Sequence, residues 1–209
     1  MSRNRREWYP GAIYHVMSRG NRRAIIYKDE SDYMNFLDCI VKAQEVYPFK
    51  LHSLCLMSNH FHMALETIDD DLGKIMQRML HPYSMDFNHK YHFTGHLFES
   101  RYTACLVTNE QYFLEVSRYI HLNPVKAHIV QEPLAYEYSS YGKFVPGDGA
   151  KKRSTKLIED LVETNRVLGG FMNNSRELYR TFVEGMISHA EQEQLIQKDI
   201  RENDMWLPC

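Results

Sequence analysis

Two histidines separated by one apolar residue, His60-Phe61-His62, stand inside a largely apolar stretch that runs from Leu51 to Glu66. Side chains alternate faces along a strand, so the two imidazoles point to one side and Phe61 to the other. That geometry builds half a metal site. On a helix the same spacing would turn the rings about 200° apart, so the pair makes chemical sense only in an extended segment. The alternative is that two of the chain's 11 histidines fall together in a half-buried strand. A second constellation lies in residues 112–126, where Phe113, Val116 and Ile120 recur at helical spacing and Pro124 marks the expected stop. Tyr119 and Asn123 are four apart and share a helix face. A tyrosine hydroxyl can act as a covalent nucleophile, and an amide oxygen one turn later can supply a neutral third ligand beside two imidazoles. The alternative is a packed aromatic followed by a polar helix-terminal residue.

The elements that must position these groups follow from periodicity. Ala12 to Ser18 reads as a strand with Ile13, His15 and Met17 on one face and Tyr14 and Val16 on the other. Residues 30–46 carry a helical apolar stripe with Asp29 or Ser31 as cap. Strands at 51–57 and 60–66 pair as a hairpin around Ser58-Asn59. Asp69 to Asp71 open a second helix, where negative charge suits the dipole. Strand character resumes over 97–107, and Asn109 starts the tyrosine helix. The order β-α-β-β-α-β is the split βαβ arrangement of a ferredoxin-like antiparallel sheet with helices packed on it, an α+β fold. The clearest boundary is Pro146 to Ala150, which divides a core domain over 1–147 from a helical C-terminal extension over 148–209, with helices at 154–168 and 175–200.

Composition bounds the rest. A chain of 209 residues, 44% of them hydrophobic, can bury one full core. No apolar run approaches the span of a bilayer, and the basic start is followed by Glu7, Trp8 and Tyr9 rather than a signal-peptide core, so a cytoplasmic protein without membrane contact is expected. Cys39, Cys55, Cys105 and Cys209 lie far apart, which suits reduced thiols. A formal net charge of −2 excludes a chain that coats nucleic acid everywhere, so any such contact is local. Arg3, Arg5, Arg6, Arg19, Arg22 and Arg23 cluster in the first 23 residues against the single acid Glu7, and Lys151 to Lys156 form a second basic run. Either cluster could instead be a solvated charge run. Arg101 is a candidate phosphate contact or a surface salt bridge. His15 reads as a hydrogen-bonded core histidine or one that approaches the site, His121 as a structural or nucleic-acid-contacting residue, and Glu66 as an orienting partner for the histidine pair or a strand end.

Three segments in register, Met57-Ser-Asn-His-Phe-His62, Gly95-His-Leu-Phe-Glu-Ser-Arg-Tyr102 and Arg118-Tyr-Ile-His-Leu-Asn-Pro-Val-Lys-Ala127, resemble signatures of the single-tyrosine HUH transposases, and most closely the REP-associated tyrosine transposases. The start Tyr9 to Asn21 and the segment Pro133 to Tyr141 add to the resemblance, which covers about residues 8–145. It implies the HUH fold, with the tyrosine helix lying against the strand that bears the histidines. By position it makes His60, His62 and Asn123 the ligands of Mg²⁺ or Mn²⁺ and Tyr119 the nucleophile. Insertion-sequence members of the wider family usually carry glutamine where this chain has the shorter Asn123. The implied activity is cleavage and strand transfer on single-stranded or hairpin DNA through a 5′-phosphotyrosine, with the N-terminal arginines as DNA contacts. A domesticated hairpin-binding protein that no longer cuts, and a phosphoesterase in which water attacks, remain open, as do monomer and homodimer. Ser175 to Glu184 is similar to a tail of REP-associated members, and its stripe is equally that of an ordinary packing helix.

Overall fold

The computed structural model describes residues 8–145 and 153–185. Arg3, Arg5, Arg6, Lys151, Lys152, the segment around the expected 147/148 boundary and Cys209 lie outside the described residues. The elements run β1 (Ile13–Arg19), α1 (Glu30–Val46), β2 (Phe49–Met57), β3 (His60–Thr67), α2 (Leu72–Tyr91), β4 (Thr103–Leu106) and α3 (Glu110–Lys126). Beyond them come α4 (Tyr141–Phe144), α5 (Arg153–Leu161), α6 (Asn165–Gly169) and α7 (Arg176–Glu184). The strands form one antiparallel sheet in the order β2-β3-β1-β4, the expected ferredoxin-like α+β arrangement.

Each long helix begins where a short polar side chain accepts the first orphan amides. Asp29 accepts from Asp32 N in a reciprocal box that opens α1, Asp71 accepts from Gly73 and Lys74 before α2, and Asn109 accepts from Tyr112 N before α3. Strand alternation then sorts the sheet faces. Phe61 faces α1 and α2, 5.1 Å from the Phe36 ring, which itself meets Tyr83 at 5.0 Å. The other face, with His60 and His62, is covered by α3. Both layers are apolar enough to close a continuous core around Tyr14, Val16, Phe36, Phe61, Met63 and Ile120.

Three local expectations are revised. β4 is shorter than the expected 97–107, because Ser100 and Arg101 are exposed and break the alternation. Residues 97–99 still touch the end of β1 through a Gly20–Phe98 bridge and a Glu99 N–H bond to Arg19 O. α3 runs through Pro124 to Lys126, although the proline leaves the Ile120 carbonyl without its helical N–H partner. The expected 154–168 helix is two helices, α5 and α6, interrupted where Glu163 N bonds to Leu51 O on the β2 edge. The register shift between Leu51 and Ser53 is a bulge that breaks strict face parity at His52.

The outer edge of β2 is not left open. Leu56 N bonds to Tyr138 O and Ser140 N to Leu54 O, so the segment after α3 masks unpaired strand groups. α7 packs on α3 and α4, and α5 on α1.

Candidate metal centre and nucleophile

β3 opens on His60, which lies opposite Arg19 of β1 and Met57 of β2, while His62 lies opposite Met17 and Cys55. The two imidazoles share the α3 side of the sheet, as strand parity requires, with ring centroids 5.1 Å apart and nearly perpendicular. α3 crosses this face. Its Asn123 places Oδ1 3.2 Å from His60 Nε2. Tyr119, one turn earlier, sets its half-buried ring edge-on to His62 at 5.3 Å between centroids. The fold therefore brings together all four residues that the sequence singled out for chemistry.

Burial controls the charge on these groups. His62, 1% exposed, is held well below the usual imidazole range by desolvation, with His15, His60 and Arg19 acting in the same direction. Desolvation also lowers His60; the hydrogen bond that the protonated ring would give Asn123 offsets part of this, and Arg19 adds to the lowering. His15 falls from 6.5 to about 4 by burial. All three rings are neutral at neutral pH, and a neutral imidazole keeps one lone pair for a ligand. Adjacent donors of an octahedral Mg²⁺-type site with bonds of about 2.1 Å stand roughly 3 Å apart, close to the His60–Asn123 spacing. Two imidazoles and an amide oxygen thus fit a divalent ion. Among the described residues no group of three His, Cys, Asp or Glu is placed to hold a metal, so the set depends on Asn123 for its third donor.

Other expectations are redistributed. His15 is the buried, hydrogen-bonded histidine expected, and it also reaches the site: its Nε2 lies 3.1 Å from His62 Nδ1 and its ring 5.7 Å from that of Tyr119. Its position on the histidine face of β1 was readable, but its register against His62 was not. Glu66 does not orient the histidine pair. It sits at the far end of β3, bound to His52 (2.8 Å), Lys50 (3.1 Å) and Arg166 (3.0 Å), because two strand steps carry it well past His62. His121 points away from the site and bonds Tyr179 and Ser140. Lys126 holds its ammonium 5.2 Å from the Tyr119 ring centroid, a contact that no sequence motif announced.

Four of the arginine candidates within the described residues gather at the His60 end, whereas Arg153 and Lys156 of the second basic run lie on α5. Arg19 is half-buried opposite His60, Arg22 and Arg23 are exposed in the turn that follows β1, and Arg101 is exposed before β4. Both turn arginines adopt left-handed backbone, with φ of 54° and 59°, a conformation that non-glycine residues hold only when their surroundings enforce it. Gly20 permits the turn, since a Cβ there would stand 2.1 Å from Ala24 O. Of the aromatics near the N-terminus, Tyr14 is buried in the core while Trp8 and Tyr9 are exposed.

A sequence model described as IS200-like transposase matches residues 9–123, which span β1 through Asn123 of α3. The chain belongs to the IS200-like transposase family. A curated relative of this transposase, from Haemophilus influenzae and named as a REP-associated tyrosine transposase, is 26% identical over 161 residues, covering 71% of this chain and 90% of its own. A solved REP-associated tyrosine transposase, bound in its structure to a REP hairpin, matches with a TM-score of 0.58 at 20% identity, covering 74% of this chain and 96% of that one. At that identity the likeness establishes the shared fold. The resemblance to REP-associated tyrosine transposases read from the motifs is borne out. Among the described residues, no helix of the transposase is long and apolar enough to cross a membrane.

Proposed function

We propose that this transposase is a cytoplasmic, metal-dependent endonuclease and strand transferase acting on single-stranded or hairpin DNA, with Tyr119 as nucleophile. The observation that carries the reading is the convergence of β3 and α3: His60 and Asn123, 63 residues apart in sequence, meet at 3.2 Å beside the Tyr119–His62 contact. A divalent ion, Mg²⁺ or Mn²⁺, held by His60, His62 and Asn123 would polarise a non-bridging oxygen of the scissile phosphate. The Tyr119 hydroxyl attacks phosphorus in line and loses its proton to solvent; the bond to the 3′ oxygen breaks, leaving a 5′-phosphotyrosine and a free 3′-hydroxyl. Attack by a 3′-hydroxyl of another strand reverses the step and completes transfer. Arg19, Arg22, Arg23 and Arg101 hold phosphates at the His60 end, and Arg3, Arg5 and Arg6 are further DNA contacts. Since one chain carries the whole constellation, a monomer suffices.

The test is incubation with hairpin oligonucleotides and Mn²⁺, followed by denaturing gels. Wild type is expected to leave a denaturation-resistant protein–DNA adduct. Tyr119→Phe removes one oxygen without altering ring packing, so adduct and nicking disappear together while hairpin binding persists. Nicking that continues in the phenylalanine variant assigns the attack to water. Tight hairpin binding without cleavage in either protein makes the chain a binder that no longer cuts.

A further inference from the structure

Asn59 stands in the two-residue turn between β2 and β3, immediately before His60, and its side-chain amide is engaged at both ends. Nδ2 lies 3.2 Å from the carbonyl oxygen of Arg23, and Oδ1 lies 2.6 Å from His60 Nδ1. A carbonyl only accepts, so the NH₂ group must face Arg23 and the amide oxygen must face the imidazole. That oxygen also only accepts. Nδ1 of His60 therefore carries hydrogen, and in the neutral ring the lone pair is left on Nε2, the nitrogen 3.2 Å from Asn123 Oδ1.

The turn that holds Asn59 is itself immobilised. Gly20 N donates to Asn59 O at 2.8 Å, and Ile26 N and Tyr27 N donate to Ser58 O at 2.8 and 3.1 Å. These bonds tie both turn residues to the 20–27 segment that displays Arg22 and Arg23. An amide with a fixed backbone and two directional partners has no second orientation of similar energy. His60 Nε2 and Asn123 Oδ1 then face each other as two acceptors, a pairing that either a cation or a turn of the Asn123 amide reconciles.

We infer that Asn59 is a positioning residue, which holds His60 as the Nδ1–H tautomer, aims its Nε2 lone pair at the site and joins that imidazole to the arginine turn. Its consequence for metal affinity rests on the proposed reading of His60 as a ligand; the tautomer itself does not.

The experiment is long-range ¹H–¹⁵N spectroscopy of the full chain labelled at its 11 histidines, free of metal and at neutral pH, with His60 assigned by its loss in His60→Gln. Wild type is expected to show His60 protonated at Nδ1. Asn59→Ala loses that preference, and Asn59→Asp, which keeps an acceptor at the same place, retains it. Calorimetric titration with Mn²⁺ is expected to show affinity about 10-fold or more weaker in Asn59→Ala, the usual loss when a ligand's outer partner is removed. An Nε2–H ring in wild type overturns the inference even if the alanine variant fails to fold. So does an unchanged Nδ1–H ring in Asn59→Ala, or Mn²⁺ affinity that ignores a changed tautomer. If the tautomer responds as expected and wild type takes up no Mn²⁺, the positioning role stands and the metal reading falls.

Discussion

Two neutral imidazoles, His15 and His62, face each other across β1 and β3 at 3.1 Å, and one of them must donate the single hydrogen between them. Both are 1% exposed, so neither nitrogen can turn to water instead. His15→Ala leaves His62 Nδ1 without this partner, and a loss of about 1–3 kcal/mol is expected from urea unfolding. Asn123 is a separate matter, because the amide proposed as a ligand would contribute to the ion rather than to the core. Asn123→Ala should weaken Mn²⁺ binding, and Asn123→Gln, which restores the amide oxygen one methylene further out as in insertion-sequence relatives, should recover part of it. Equal affinities in wild type and Asn123→Ala, measured by calorimetry, would remove Asn123 from the ligand set.

α3 works as an element with two opposed faces. Tyr119 and Asn123 look toward the histidines, whereas Ser117 and His121, also four apart, look toward the C-terminal helices. There Tyr179 OH meets Ser117 Oγ at 2.7 Å and His121 Nδ1 at 2.6 Å, while His121 Nε2 meets Ser140 Oγ at 2.7 Å, which in turn accepts from Leu54 N of β2. This buried chain of polar contacts fixes the tyrosine helix to the sheet from behind. Tyr179→Phe removes the shared hydroxyl and should cost about 1–3 kcal/mol in chemical unfolding. Burial lowers His121 from 6.5 to about 3, while Tyr141 and Tyr179, the titratable groups packed on it, are phenols raised by burial and stay neutral. The unfolded imidazole takes a proton below about 6.5 and the folded one does not until about 3, so stability is full above the upper value and declines as pH falls through this window. The decline is about 1.4 kcal/mol per pH unit for this one group. Metal-free His121→Gln should show a shallower slope than wild type by that amount between pH 6 and 4, read from urea midpoints.

Across the whole molecule, a net charge of −2 leaves attraction to DNA to local fields rather than to overall charge. Arg22, Arg23 and Arg101 are exposed within the described residues and belong to loops that meet through the Asn21 N–H bond to Leu97 O. If each neutralises one phosphate of a single strand, replacing all three with alanine should flatten the dependence of log affinity on log salt by about 2, at roughly 0.7 per contact. An unchanged slope in hairpin-binding titrations would shift the surface elsewhere, with the basic run at Lys151 to Lys156 next to be tested.

Much of this was legible from local pattern. A period of two put His60 and His62 on one face, a period of 3.6 put Tyr119 and Asn123 on another, and Asp29, Asp71 and Asn109 announced where helices begin. These are properties of neighbours in the chain, decided by backbone geometry whatever the rest of the molecule does. Tertiary structure decided what no period encodes: that His15 meets His62 across 47 residues, that Asn59 grips Arg23 as well as His60, and that a bulge at Leu51/Ser53 breaks the parity of β2. It also sent Glu66 to a charge cluster with Arg166 and gave His121 its partners Tyr179 and Ser140. Such contacts depend on sheet register and on how helices dock, and both are set by the summed packing of residues far apart in sequence.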